Sequence, residues 1–292
     1  MLLFVREGQA LKKVNLIMDT IDYIEAHLSE KMNLALVAHA LHYSKYYLHR
    51  VFSQTVGMTI HDYVQRRKLT EAAKMLVFSD KSILEIALVA GYESQQAFTT
   101  IFKAMYKKSP LQYREEKDYY PLQLRFQFNH EWTQTSNNKE LENLRIIKEA
   151  TKDDVPSWMA FVSLVIDGFP HLQEAEHRKV LQTYIADRRA FIMIENGLII
   201  GNMLISHING GIDFLGVHPL YDKPEIIHLF IKMTDLANYE KVHITSFRKG
   251  DKADLGYRNA LIQLGFREAE LLTEFGYPTQ EMVLYQQGEI HD

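Results

Sequence analysis

Two stretches of this chain, fifty residues apart, carry one pattern without a gap. SKYYLHRVFSQTVGMTIHDY (44–63) overlays SQQAFTTIFKAMYKKSPLQY (94–113). Ser44 falls on Ser94, Leu48 on Phe98, Phe52 on Phe102, Thr59 on Ser109 and Tyr63 on Tyr113. An internal repeat constrains a fold more tightly than composition does, because each copy must be the same small unit. Each copy follows a short apolar run, NLALVAHAL or SILEIALVA, and a tight turn. Leu48 with Phe52, and Phe98 with Phe102, stand at i and i+4 and so share one face of a helix. The pattern predicts helix, turn, helix, twice, with TIHDYVQRRKLTEAAKMLVFS joining the copies.

The flanking residues extend that prediction. VNLIMDTIDYIEAHLSE places Val14, Ile17, Ile21, Ile24 and Leu28 on one helical stripe. Asn33, Ser44, Ser82 and Ser94 stand where N-caps belong, and Gly57 and Gly91 where helices stop. With Pro110 opening the last piece, residues 14–116 predict seven short helices in an all-α unit.

In each second helix the apolar pair is buried and the capped end is left outward. That end carries Lys45, Tyr46, His49 and Arg50 in one copy and Gln95, Gln96, Thr99 and Thr100 in the other. Arg can bond guanine O6 and N7, and Gln can bond adenine N6 and N7. A helix N-terminus also carries a partial positive charge that suits phosphate oxygens. Ser44, Lys45, Ser94, Lys103, Lys107 and Arg66 are the candidate phosphate contacts, with Lys108, Arg67 and Lys68 close by; such contacts hold register without reading sequence. Charge agrees. Residues 1–118 hold 16 basic and 13 acidic residues (net +3), while the rest holds 17 and 24 (net −7). The two halves therefore suit different partners.

Residues 15–116 resemble the double helix-turn-helix DNA-binding domain of the AraC/XylS family of transcription regulators. The resemblance lies in LHRVFSQTVGMTIHDYVQRRKLTEAAKMLV and IALVAGYESQQAFTTIFKAMYKKSPLQYR, including Gly57, Arg67 with Ala72, Gly91-Tyr92, Phe102-Lys103, Ser109-Pro110 and Tyr113-Arg114. It implies that both recognition helices enter successive major-groove segments on one face of double-stranded DNA. It implies base readers at Tyr46, His49 and Arg50, and at Gln95, Gln96 and Thr100. Two positions depart from the family pattern. Lys107 stands where the first copy has Gly57, and Thr100 stands where Arg is common, which removes one bidentate contact and loosens the second head.

The second half changes character. YYPLQLRFQFNHEW alternates Leu122, Leu124, Phe126 and Phe128, as an extended strand does. The polar TQTSNNKE (133–140) reads as a linker. LRIIKEA, AFIMIEN, LIIGNMLISHI, IDFLGV and KVHITSF then predict strands, with helices near 153–168, 172–188, 224–239 and 253–264. The predicted organisation is a DNA-binding domain over 1–118, a strand and linker over 119–143, and a mixed-sheet α+β domain over 144–292.

That last domain resembles the GNAT (Gcn5-related N-acetyltransferase) fold in its order of elements. LRIIKEATKDDVP looks like the opening strand and helix, with Asp153 or Asp154 capping. AFIMIENGLIIGNMLI looks like the central hairpin turning at Asn196-Gly197, LGVHPLY like the fourth strand and its exit, and ALIQLGFRE like the closing helix and strand. Acetyl-CoA binding needs backbone amides around its pyrophosphate, which the family supplies with Arg/Gln-x-x-Gly-x-Gly/Ala. Here the stretch is Asp222-Lys223-Pro224-Glu225-Ile226-Ile227, without either glycine, and the usual acidic tyrosine aligns with Leu261. The resemblance so altered argues against catalysis and for a module that senses a ligand, dimerises or touches RNA polymerase. An active N-acetyltransferase tethered to DNA is the alternative.

Other chemistry is thin. The chain has no cysteine, which rules out disulfides and thiolate sites. His171, His177 and His218 lack ligand spacing, so neither a metal nor a cofactor is expected. Phe169, Phe214, Phe230 and Tyr239 read as core, and Glu174, Glu176 and Asp187 as a solvated face. The opening MLLFVREGQALKK is too short in apolar run for a signal peptide, and no apolar run spans a bilayer. A cytoplasmic protein is expected. Monomer and homodimer stay equally open.

Overall fold

The computed structural model describes residues 2–126, 145–165, 174–206, 209–274 and 276–286. These fall into two units, one ending at Phe126 and one beginning at Arg145.

The first unit is helical: α1 (Leu2–Ala26), α2 (Leu34–Ala40), α3 (Lys45–Val56), α4 (Ile60–Phe78), α5 (Ile83–Val89), α6 (Gln95–Tyr106) and α7 (Pro110–Glu116). Helix α1 buries Leu16, Ile17, Ile21 and Ile24 and stops at Ala26, so Leu28 lies past its end. Asn33, Ser44, Thr59, Ser82, Ser94 and Ser109 each accept a hydrogen bond from the amide three residues on. Ser82 and Ser109 complete capping boxes with Glu85 and Gln112. Such a cap contributes about 1 kcal/mol, so start points written in the sequence are start points in the fold.

The repeat is realised residue by residue. Leu48, Phe52 and Tyr63 are buried in the first copy; Phe98, Phe102 and Tyr113 are buried in the second. Left-handed backbone follows each of the four helices in the two copies. It falls on His42 (φ 59°) and Gly57 (φ 77°) in the first copy, and on Gly91 (φ 80°) and Lys107 (φ 60°) in the second. Each copy therefore has glycine at one of its two left-handed positions and a side chain with a Cβ at the other.

Residues 119–126 correct the sequence reading. The alternation predicts a strand, but these residues join no sheet. They form an extended strap along α4. The amides of Leu122 and Gln123 both donate to Thr70 Oγ1 at 3.1 Å. Arg66 and Arg67 donate to the carbonyls of Leu122 and Gln123. Tyr120 exchanges hydrogen bonds with the Tyr113 hydroxyl, and Phe126 stacks on Tyr63 at 5.5 Å. Leu122 and Phe126 are buried by helices, while Leu124 is half-buried. Phe128 and the linker 133–140 lie outside the described residues.

The second unit is a seven-stranded sheet of β1 (Ile146–Glu149), β2 (Ala190–Glu195), β3 (Leu198–Ile205), β4 (Gly211–Val217), β5 (Lys241–Phe247), β6 (Arg267–Glu274) and β7 (Tyr277–Tyr285), in the order β1-β2-β3-β4-β5-β7-β6. Every neighbouring pair is antiparallel except β4 and β5, which pair in parallel only at Gly211 with His243 and Ile212 with Ile244. Beyond Ile212 those two strands are unpaired along their facing edges. The helices are α8 (Val155–Val165), α9 (Glu174–Ala186), α10 (Lys223–Met233) and α11 (Tyr257–Gln263). Strand β7, inserted between β5 and β6, was not foreseen. The β2–β3 hairpin turns at Asn196 (φ 53°) and Gly197 (φ 80°), the left-handed pair that a two-residue hairpin needs.

Some details differ from expectation. Thr151 stands at the cap before α8, and Asp154 reaches back to accept from the Thr151 amide and hydroxyl, both at 2.8 Å. His177 accepts from the Trp158 indole at 3.0 Å, and burial pushes its pKa down to about 4. His218 is buried, accepts from the Leu220 amide at 3.1 Å, and is pushed down to about 3 by burial. Both are neutral core histidines at physiological pH. Phe230 is buried against Gly201, where a Cβ would come within 2.8 Å of its ring. His171, Phe169 and the side chain of Glu174 lie outside the described residues. No described helix is long and apolar enough to cross a membrane.

Candidate nucleic-acid interface

Helix α3 buries Leu48, Val51, Phe52 and Val56, which turns Ser44, Lys45, Tyr46, His49 and Arg50 to solvent. Helix α6 buries Phe98, Phe102, Met105 and Tyr106, which turns Gln95, Gln96, Thr100 and Lys103 to solvent. All six expected base readers thus lie on exposed faces of two capped helices. Neither helix has an acidic residue in its first turn, so no carboxylate of the helix itself offsets the positive end of the dipole. The caps Ser44 and Ser94 use an oxygen lone pair on the amides of Tyr47 and Ala97, both at 3.2 Å. A hydroxyl that accepts one bond can still donate another, and a phosphate oxygen is a suitable acceptor.

The two faces are built differently. The Arg50 guanidinium lies over the Tyr46 ring at 5.7 Å and the Tyr47 ring at 5.8 Å, and Tyr47 stacks on Tyr43 at 5.7 Å. Tyr46 is 77% exposed, a large ring that the fold itself does not cover. Two rings close to the guanidinium limit the rotamers open to Arg50, so less side-chain entropy is lost when its fork meets a base. Tyr43 and Tyr47 were not foreseen as contributors. Their signal is spacing: Tyr43 to Tyr47 and Tyr46 to Arg50 are both i to i+4. On α6 there is no such stack, and Thr100 donates its hydroxyl to the Gln96 carbonyl at 2.9 Å. Thr100 has committed its proton to its own helix and can offer a base edge only lone pairs.

Burial corrects Arg66 and Arg67 as phosphate contacts, while Lys68, Lys107 and Lys108 make bonds within the chain. Arg66 is 2% exposed and holds the Leu122 carbonyl at 3.3 Å, so it faces the strap and not solvent. Arg67 is buried too, bonded to both Glu25 oxygens (2.8 and 2.9 Å), to Glu71 (3.0 Å) and to the Gln123 carbonyl (3.0 Å). Lys68 donates to the Glu30 carbonyl at 2.8 Å, and Lys108 pairs with Glu116. Lys107 folds its ammonium back onto the Ala104 carbonyl at 2.7 Å, closing the C-terminal end of α6. Lys45 and Lys103 keep exposed positions on the two heads.

In the second unit, the stretch compared with a pyrophosphate loop is occupied by its own side chains. Asp222 caps α10 by accepting from the Glu225 amide at 3.0 Å, and Pro224 has no amide hydrogen to give. Glu225 is ion-paired with Arg145, which also holds Glu195 at 2.8 Å. The Val217 amide, at the exit of β4, donates to the Tyr257 hydroxyl at 3.0 Å, and Lys223 lies over the Tyr257 ring at 5.3 Å. Leu261 is buried.

Comparison with known proteins bears on the first unit. Residues 37–116 match the family model for a helix-turn-helix domain. The HTH-type transcriptional regulator YbfP of Bacillus subtilis is 41% identical over 95 residues, which cover 32% of this chain and 32% of that protein. The regulatory protein SoxS of Escherichia coli K12 is 36% identical over 99 residues, 34% of this chain and 92% of that protein. The match thus spans about a third of YbfP and nearly all of SoxS. An acetyltransferase of the GNAT family from Bacillus cereus covers 49% of this chain and 99% of its own at 14% identity and a TM-score of 0.38, too weak a likeness to carry an argument.

Proposed function

Because the chain belongs to the AraC family of helix-turn-helix transcription regulators, we propose that its first unit binds double-stranded DNA with sequence preference. Helices α3 and α6 are its two reading heads, in successive major-groove segments. The observation that carries this is the pair of capped helices, fifty residues apart in register, with phenylalanines buried on one face and base-reading side chains exposed on the other. Arg50 suits guanine, Gln95 and Gln96 suit adenine, and Tyr46, His49 and Thr100 complete the faces. Ser44, Lys45, Ser94 and Lys103 hold phosphate. Gel shift on a site selected from random DNA tests the assignment with Arg50→Ala and Gln96→Ala. Undiminished binding by both variants would remove it.

The second unit we read as a GNAT-like domain turned from catalysis to sensing or interaction. Its order of strands and helices supports the likeness, with one further strand, β7. The residues present do not fit acetyl-CoA. A pyrophosphate needs open amides at a helix start, and α10 begins with an aspartate cap, a proline and a glutamate. The β4 amide nearby is taken by Tyr257. Calorimetry with acetyl-CoA, followed by a transfer assay, should give neither heat nor product. Binding with acetyl transfer would overturn the reading.

A further inference from the structure

We propose that the strap of residues 119–126 is a brace that fixes the phase between the two reading heads, with Thr70, Arg66 and Arg67 as its positioning residues. This rests on the first unit being a two-headed DNA binder. Among the described helices, α4 is the one shared by both heads. Its early residue Tyr63 packs on Phe52 of α3 and donates to Glu25 of α1 at 2.9 Å. Its later residues Leu69, Ala72, Ala73 and Leu76 pack with Phe98 and Phe102 of α6. A helix of this length curves gently rather than standing straight, so by itself it leaves some play in the angle between its two ends.

The strap supplies a second connection alongside the first. It starts in the core of the second head, where Tyr120 meets Tyr106 and Tyr113 at 5.2 and 5.8 Å. It runs back along the middle of α4, where Thr70 takes two of its amides and Arg66 and Arg67 take two of its carbonyls. It ends on the first head, where Phe126 stacks on Tyr63 and Arg125 pairs with Asp22 at 2.7 Å. Two parallel ties anchored at both ends resist bending and twisting that one tie permits. Each of these backbone bonds on the strap is matched by a buried side chain, so the strap has one register. DNA rewards such a device. One inserted base pair moves a half-site by about 3.4 Å and turns it by roughly 35°.

The test uses the full chain and a set of operators. From the selected site, operators are made with one base pair inserted or deleted between the half-sites. Wild type should lose about tenfold or more in affinity on each, as it would on losing a base contact. Thr70→Val removes the shared acceptor at equal size, and Phe126→Ala with Arg125→Ala releases only the end of the strap. In both variants the penalty for shifted spacing should fall to about threefold or less, while a base change inside either half-site costs what it costs wild type. If Thr70→Val melts below the assay temperature, the end-release variant carries the test alone. Equal weakening on native and shifted operators would show that the strap only stabilises, and would overturn the proposal. Failure of wild type to select any site would instead strike the DNA-binding reading beneath it.

Discussion

The two heads share a scaffold and differ in what they offer to a ligand. Both have a serine cap, a buried i, i+4 pair and a left-handed residue after the reading helix. On α3 the central group is a cation beside two tyrosine rings, one of them stacked on a third. On α6 it is a pair of amides and a hydroxyl already bonded to its own backbone. A repeat fixes the caps and the core because every copy needs them to fold. The outward face answers to something outside the chain, and there the copies have diverged.

From that contrast, Arg50→Ala should cost the most on the selected operator. We expect a loss toward the upper end of about 1–3 kcal/mol, with Gln96→Ala toward the lower end. Gel-shift titration ranks them, and the reverse order would break the comparison. Next comes a gain: Thr100→Arg should restore a bidentate donor to α6, sharpening base preference in the second half-site by about 1 kcal/mol, as read by repeated selection. Lys103→Ala should weaken all sequences alike and lower the slope of log affinity against log salt by about 1. Smallest is Lys107→Gly, which relieves the left-handed backbone and should raise stability by at most about 1 kcal/mol in thermal melts, with base preference unchanged.

Much of the first unit was legible because its signals are local. A serine three residues before a helix amide, or a glycine after a helix, acts within one turn of the chain. The exposure of the six proposed readers was legible the same way, since burying Phe98 and Phe102 leaves Gln95, Gln96 and Thr100 on the other side. What failed was long-range. Arg66 and Arg67 sit in a basic run that looks like surface, yet they are buried because carbonyls 56 residues later come back to meet them. The same return explains the false strand: Leu122 and Phe126 are buried at even spacing, but the amides and carbonyls of Leu122 and Gln123 find side chains where a strand finds a ladder. Strand β7 lies beyond the last element read from the sequence, and the sheet accepts its Pro278 opposite Thr273. In the second unit the absence of glycine from 222–227 was plain, but Tyr257 reaching the Val217 amide depends on the approach of two distant segments.

The strap also says where this half of the molecule can be cut. Helix α7 ends at Glu116, and a shortened gene product stopping there would keep every residue assigned to face DNA. It would also leave Thr70 and two guanidiniums in a groove stripped of the amides and carbonyls they meet, with Tyr113 and Tyr106 opened to water. A fragment that keeps this groove filled must therefore run at least through Phe126, ten residues past α7.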